Sequence, residues 1–360
     1  MADRAPLFAV SREHLKEISD ATGILQHAVG ALPDPAHGYC TDDVARALRV
    51  DLVHARELGW ATVAGSARRH LAFLGEAFMP TTGRFRNFRA VGGAWLDTGG
   101  SEDCQGRALF ALGETIRVAP DASMVATASL LFGRALPAAR ELTALRARSS
   151  VLLGCVGAVR GGMDGEVPST LRLLADHLAA AFRQGPDPAW RWPEPIVTYE
   201  NGLPVQALIV AGDHLRSAEM LDAGLRALDW LVERQTAPAG HLSPVGNGWW
   251  PRDGVRSRFD QQPIEAAGLA LAAQAAFTAT GRSRYRDVVN RAYGWFVGAN
   301  DGGMPVAIPS RGACFDALTA TGVNTNQGAE STLVWLLALE AARAVRATPA
   351  PQVRIAAAVA

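Results

Sequence analysis

The chain has 360 residues, 49% of them hydrophobic and 19% charged, and its 35 Lys+Arg against 35 Asp+Glu leave a formal net charge of zero. That balance excludes nucleic acid and anionic membrane as main partners, and the length allows a large core. No stretch offers the roughly 18 uninterrupted apolar residues of a membrane span; residues 1–10 lack a signal-peptide pattern, and four scattered cysteines without a Cys-x-x-Cys pair imply a reduced, cytoplasmic chain.

Taken in order, Ser11 to Val29 carries Leu15, Ile18, Ile24 and Leu25 at helical spacing and predicts an outer helix. A Pro/Gly/His loop, Asp34 to Tyr39, leads to a helix at about 41–57 that is apolar nearly all round, so it must be buried on most sides. Trp60 to Phe78 is amphipathic and outer. The long loop Pro80 to Gly100 contains Arg84-Phe85-Arg86-Asn87-Phe88-Arg89, which predicts a short hairpin. A second buried helix at about 101–117 starts with Ser101 as N-cap and two acids, Glu102 and Asp103, in the turn where the helix dipole favours negative charge.

Asp121 to Leu145 reads as an outer helix broken at Pro137, and Ser149 to Val159 as an inner one without acids at its start. Further outer helices are expected at Pro168 to Phe182, Ser217 to Arg234 and Arg282 to Val297. Inner helices are expected from about Asn201, Asp260 and Asn326, with Pro204 and Pro263 suited to a first helical turn. Met304 to Ile308 reads as a strand. One domain spans residues 1–346, and the Ala/Pro-rich tail 347–360 is expected to be disordered.

Two helix starts share one phrase. Asp42-x-x-x-Arg46-Ala47-Leu48 recurs as Asp103-x-x-x-Arg107-Ala108-Leu109, 61 positions on. Such a period calls for a repeat architecture. Six outer and six inner helices in alternation predict a closed double ring, all-α, with the inner N-termini around one mouth and short β-hairpins there.

His37-Gly38-Tyr39-Cys40-Thr41-Asp42-Asp43, Ser101-Glu102-Asp103, Asp260-Gln261-Gln262-Pro263 and Asn326-Gln327-Gly328-Ala329-Glu330-Ser331 resemble a bacterial (α/α)6-toroid domain. It is a six-hairpin, glycosidase-like domain, met alone or fused to glycosyltransferases. The resemblance implies the toroid fold, a carbohydrate substrate and a functional link to a glycosyltransferase.

The chemistry can be weighed on the residues themselves. Cleaving a glycosidic bond needs one carboxyl group to protonate the leaving oxygen and another to activate water or attack the ring. Asp42, Asp43, Glu102, Asp103, Glu200, Asp260, Glu265, Asp316 and Glu330 are the available acids. All but Glu265 and Asp316 are expected at the mouth. Against this, Asp42–Arg46 and Asp103–Arg107 are i,i+4 pairs of the kind that form plain salt bridges, and Asp260 and Asn326 suit N-caps. Doubled acids exceed what capping requires. Glu102 or Glu330 is the expected proton donor and Asp43 or Asp260 the expected activator of water, with Asp42 and Asp103 in the same set.

His37, Tyr39, Arg107, Tyr199, Glu200, Asn201, Gln261, Gln262, Asn326 and Gln327 are expected to bind hydroxyls, and Trp249 and Trp250 to stack on sugar faces. No cofactor or metal is expected. Cys40, Cys104, Cys314 and His37 could converge on zinc, but their spacing matches no zinc signature. The expected function is therefore a glycoside hydrolase acting on an oligo- or polysaccharide. The alternatives are a sugar epimerase or isomerase on a similar toroid, which would want histidines at inner helix starts, and a non-catalytic glycan-binding domain.

Overall fold

The structure is a computed structural model and describes residues 5–183 and 189–348. In chain order its elements are α1 (Glu13–Glu17), β1 (Leu25–Val29), β2 (Leu32–Cys40), α2 (Thr41–Leu58), α3 (Trp60–Ala77), β3 (Phe78–Met79), β4 (Arg84–Phe85), β5 (Phe88–Arg89), α4 (Glu102–Val118), α5 (Ala122–Ala139), α6 (Leu145–Arg160) and α7 (Val167–Arg183). There follow β6 (Ile196–Val197), α8 (Gly202–Leu215), α9 (Ala218–Arg234), β7 (Trp250–Pro251), α10 (Pro263–Thr280), α11 (Ser283–Phe296), β8 (Ala307–Ile308), β9 (Ala313–Cys314), β10 (Ala317–Thr319), β11 (Gly322–Asn324) and α12 (Ala329–Ala347).

The even-numbered helices form the inner ring. Each packs on the next, and α12 packs back on α2, so the ring closes. Outer helices α3, α5, α7, α9 and α11 each lie against the inner helix before them. This is the (α/α)6 toroid expected from the alternation. Sequence character explains the layering. In α10, Pro263 to Ala270 is buried without a break, as an inner helix requires. In α7 only Val167, Thr170, Leu171, Leu174, Ala175, Leu178 and Ala179 are buried, a single stripe at i, i+3, i+4 spacing.

Inner helices α4 and α6 approach most closely where both carry glycine. A Cβ on Gly113 would overlap the backbone of Gly154, so only glycine fits. Helix α5 is apolar enough to cross a membrane by length and composition, with mean hydropathy 1.2 over 18 residues. Here its Met124, Ala128, Leu131, Phe132 and Ala135 face belongs to the core.

Four local expectations are corrected. The helix expected over Ser11 to Val29 stops at Glu17, because the Asp20 carboxylate accepts from the Thr22 and Gly23 N–H groups (2.7 and 3.1 Å) and turns the chain. Leu25 to Val29 then pairs with β2, so the sixth outer position holds only α1 and an extended start. Tyr293 and Arg343 fasten that start by donating to the Pro6 and Phe8 carbonyls (2.8 and 3.1 Å). The arginine-rich loop is no self-paired hairpin: Arg84–Phe85 pairs with β3 and Phe88–Arg89 with β2. Helix α5 runs through Pro137 and ends two residues later. Of the predicted Met304–Ile308 strand only Ala307–Ile308 forms, paired with β9. Residues 349–360, most of the expected tail, lie outside the described residues.

Candidate functional site

The N-terminal ends of α2 and α12, the turn before α10 and two hairpins enclose a cavity of about 540 Å³. Asp42, Asp43 and Arg46 of α2, Glu330 and Ser331 of α12, Asp260 and Gln262 ahead of α10, and His27 of β1 line it. Asp316, Asn247 and Asn324 complete its polar wall.

The two arginines of the repeated phrase sit beneath this rim, and neither makes the bond its sequence position suggested. Arg46 donates to Asp43 (2.7 Å) and, on the neighbouring helix α12, to Glu330 (2.7 Å), not to Asp42. Arg107 pairs with Asp42 (3.5 Å) and with Glu200, not with Asp103, which accepts from the Tyr199 hydroxyl instead. Each arginine thus bridges acids from two separate segments of the chain. Four acids, Asp42, Asp43, Glu200 and Glu330, share two guanidinium groups.

Burial first, and then this imbalance, sets the titration. Burial pushes Asp43 up to about 7, Arg46 opposes the rise, and Glu330 and Asp42 add to it. Burial also raises Asp42, against the pull of Arg107 and Arg46, and the Asp42 Oδ1 is buried without a partner. Burial would raise Glu200 as well, but Arg107 and Arg46 outweigh it and hold it below the usual range. Asp43 is therefore a carboxyl group, 3% exposed, that keeps its proton close to neutrality on the wall of a cavity.

Backbone strain gathers here too. Among the described residues four non-glycine positions have positive φ: Glu200 (48°), Trp249 (62°) and Asp260 (57°), all at the mouth, and Arg216. Left-handed backbone at such positions marks sites that the surrounding structure over-determines.

Several expected site residues are placed elsewhere. Glu102 lies over the next hairpin, where its carboxylate accepts from Thr143 N (2.8 Å) and Ala144 N (2.6 Å) at the start of α6. Burial opposes this, but those N–H groups hold it below the usual carboxylate range, the reverse of what a proton donor needs. Tyr39 is 1% exposed and donates to Asp20. Trp250 stacks on Trp230, ring centroids 5.7 Å apart and planes 3° from parallel, and meets Trp190 edge-on, so it serves the core. Trp249 is 41% exposed on the loop that carries Asn247.

Gln261 is buried: its amide donates to Arg258 O and Asp301 and accepts from Trp295. Asn201 is held by Arg146 and Glu265. Glu265 is itself pushed to about 7 by burial, but it receives the Asn201 amide and the Glu200 N–H rather than facing the cavity. Asn326 accepts from Gly30 N (3.0 Å), pinning the β1–β2 turn, and Gln327 is buried beneath it. His37 is exposed on β2 and stands edge-on to His27, centroids 4.6 Å apart. Neither Asp260 nor Asn326 caps a helix: the N-cap positions of α10 and α12 are Gln262 and Gly328.

The thiols have their own partners. Cys40 donates to Asn87 Oδ1 (3.2 Å) and Cys104 to the Phe85 and Arg86 carbonyls (3.7 and 3.6 Å). Among the described residues no three His, Cys, Asp or Glu side chains are grouped to hold a metal ion. Three wall residues escaped the sequence reading. His27 lay inside a predicted helix, Asp316 in a loop expected off the mouth, and Arg46 was taken for a simple helix pair; its signal was the repeated phrase itself.

No protein-family model matches this sequence, and no curated protein does. Solved structures do. A sugar epimerase from a ruminal bacterium superposes with TM-score 0.70 at 13% identity, over 91% of this chain and 94% of that one. A D-mannose isomerase gives 0.69 at 11% identity, over 92% and 94%. A GH76 α-mannanase from Bacteroides thetaiotaomicron gives 0.63 at 10% identity, over 93% and 95%. The shared property is the fold.

Proposed function

We propose that this protein is a carbohydrate-active enzyme, a glycoside hydrolase acting on an oligo- or polysaccharide, with Asp43 as proton donor. The observation that carries the reading is Asp43 itself: a buried carboxyl group pushed up to about 7, lining a cavity whose other walls carry Asp42, Glu330, Asp260 and Asp316. In this scheme Asp43 protonates the glycosidic oxygen as its bond to the anomeric carbon breaks. Glu330, salt-bridged to Arg46, or Asp260 on the facing wall takes a proton from water, whose oxygen bonds to that carbon. The roles of Asp43 and Glu330 are thus exchanged relative to the sequence expectation. Neighbours of the same fold named as epimerase, isomerase and mannanase support a sugar substrate. The four cysteines, all buried free thiols, support a cytoplasmic setting.

His27 favours a second reading. Epimerisation or isomerisation removes a proton from the carbon beside a carbonyl, and an imidazole in the cavity suits that task. Five acids against one histidine on the wall favour cleavage. The test is to incubate the protein with a glycan panel and with free monosaccharides, and to measure reducing ends and sugar identity. New reducing ends, lost in Asp43→Asn, support the hydrolase. An equilibrated mixture from one monosaccharide without cleavage supports the epimerase. Binding without turnover leaves a glycan-binding domain of the kind that serves a glycosyltransferase.

A further inference from the structure

At the end of the ring away from the mouth, the C-terminal halves of the inner helices surround a second cavity of about 770 Å³. That volume is typical of small-molecule sites. Its wall is largely apolar, with Val53, Phe110, Val156, Leu271 and Leu337. Most of its charges have ordinary explanations. Arg56, Arg117, Arg160 and Arg346 lie in last helical turns, where a cation meets the negative end of the dipole. The acids each stand beside an arginine: Glu57 and Glu340 by Arg343, Glu114 by Arg117.

Arg49 is different. It is in the middle of α2, far from either helix end. Its guanidinium lies 3.7 Å from the centroid of the Phe110 ring and, among the described residues, has no hydrogen-bond or ion-pair partner. Burial pushes it down to about 10, while the more distant Glu114 and Glu200 oppose the fall. Gln206 of α8 and Gln274 of α10 line the same cavity, and neither side-chain amide has a partner among the described residues. Between this cavity and the mouth lies a void of only about 20 Å³, lined by Arg49 and Gln206 on one side and Arg46 and Glu200 on the other.

Arg49 is half-buried, and its guanidinium, set over the Phe110 ring and meeting no protein acceptor among the described residues, leaves its N–H donors to whatever enters the cavity. We propose that this cavity is a second small-molecule site, for an organic carboxylate with an apolar body, its carboxylate held by Arg49 between the amides of Gln206 and Gln274. The planar fork of the guanidinium matches a carboxylate in two parallel hydrogen bonds, and the apolar wall takes the hydrocarbon.

Octanoate titrated into the full-length protein by calorimetry tests this, with octylammonium and octanol as controls. Octanoate is expected to bind saturably at one site, and the two controls at least tenfold more weakly. Arg49→Met keeps the ring contact and removes the charge, and should weaken octanoate about ten- to hundredfold. Gln274→Leu should weaken it less. The ligand-free Arg49→Met protein should melt at or above the wild-type temperature, since a partly desolvated charge without an ion-pair partner is removed. Absence of octanoate binding, equal binding by Arg49→Met, or equal binding of octylammonium overturns the proposal. A drop of several degrees in the melting temperature of ligand-free Arg49→Met also overturns it, by assigning Arg49 to the fold.

Discussion

Replacing Asp43 by Asn separates catalysis from structure, because the two roles move stability in opposite directions. Asp43 goes from 3.8 in the open chain to about 7 in the folded protein. The folded state therefore binds the proton more tightly than the unfolded state between those values. The contribution of Asp43 to stability is greatest below about 4, falls as pH rises through that window, and stays low above about 7. The gap corresponds to on the order of 4 kcal/mol. Asn keeps the shape and cannot ionise, so it removes that cost, and Arg46 retains Glu330 at 2.7 Å. At pH 8 Asp43→Asn should melt at or above the wild type, and its stability should vary less between pH 4 and 7. If Asp43 is the donor, the rate of glycan cleavage should fall about 10²–10⁴-fold in the variant. The wild-type kcat/KM should decline above about pH 7 as the donor loses its proton. Melting curves across pH and initial rates of reducing-end release decide the matter. A variant that melts well below the wild type at pH 8 would show Asp43 to be a structural ion-pair partner. One that cleaves within a few-fold of the wild type would remove it from the chemistry.

Three further outcomes follow from the packing. Glu102→Ala removes acceptors for two N–H groups at the start of α6 and should cost about 0.5–2 kcal/mol in denaturant unfolding, with cleavage unchanged well below the melting temperature; a loss of rate without loss of stability would return Glu102 to the chemistry. Trp250→Ala should destabilise by about 3–5 kcal/mol because its ring is stacked on Trp230, while Trp249→Ala should leave stability nearly unchanged and weaken glycan binding by about 1–3 kcal/mol. Equal effects of the two would contradict the division between core and rim. Gly113→Ala should cost about 1–3 kcal/mol, read from the urea midpoint, since its methyl group would meet the Gly154 backbone.

What the sequence by itself determined is what periodicity and capping encode locally. Apolar runs in α8, α10 and α12 declared inner helices, one-sided stripes in α7 and α9 declared outer ones, and acids ahead of apolar runs marked the mouth. Ring closure follows, since inner helices apolar on most sides need neighbours on both flanks. Which acid faces the cavity was decided only by tertiary structure. Arg46 and Arg107 had plausible partners four residues back, yet neither pairs there: the folded geometry offers each a carboxylate from another part of the ring, 284 and 93 positions away, and Arg46 also holds Asp43. Glu102 turns to cap a neighbouring helix for the same reason. Trp250 and Trp249 are adjacent in the chain, and only the tertiary structure, with Trp250 in the β6–β7 pairing, sets one half-buried against the core and leaves the other exposed. His27 reads as helix until β2 returns to pair with it. Local propensity sees neither event, because the energy that decides each comes from contacts distant in sequence.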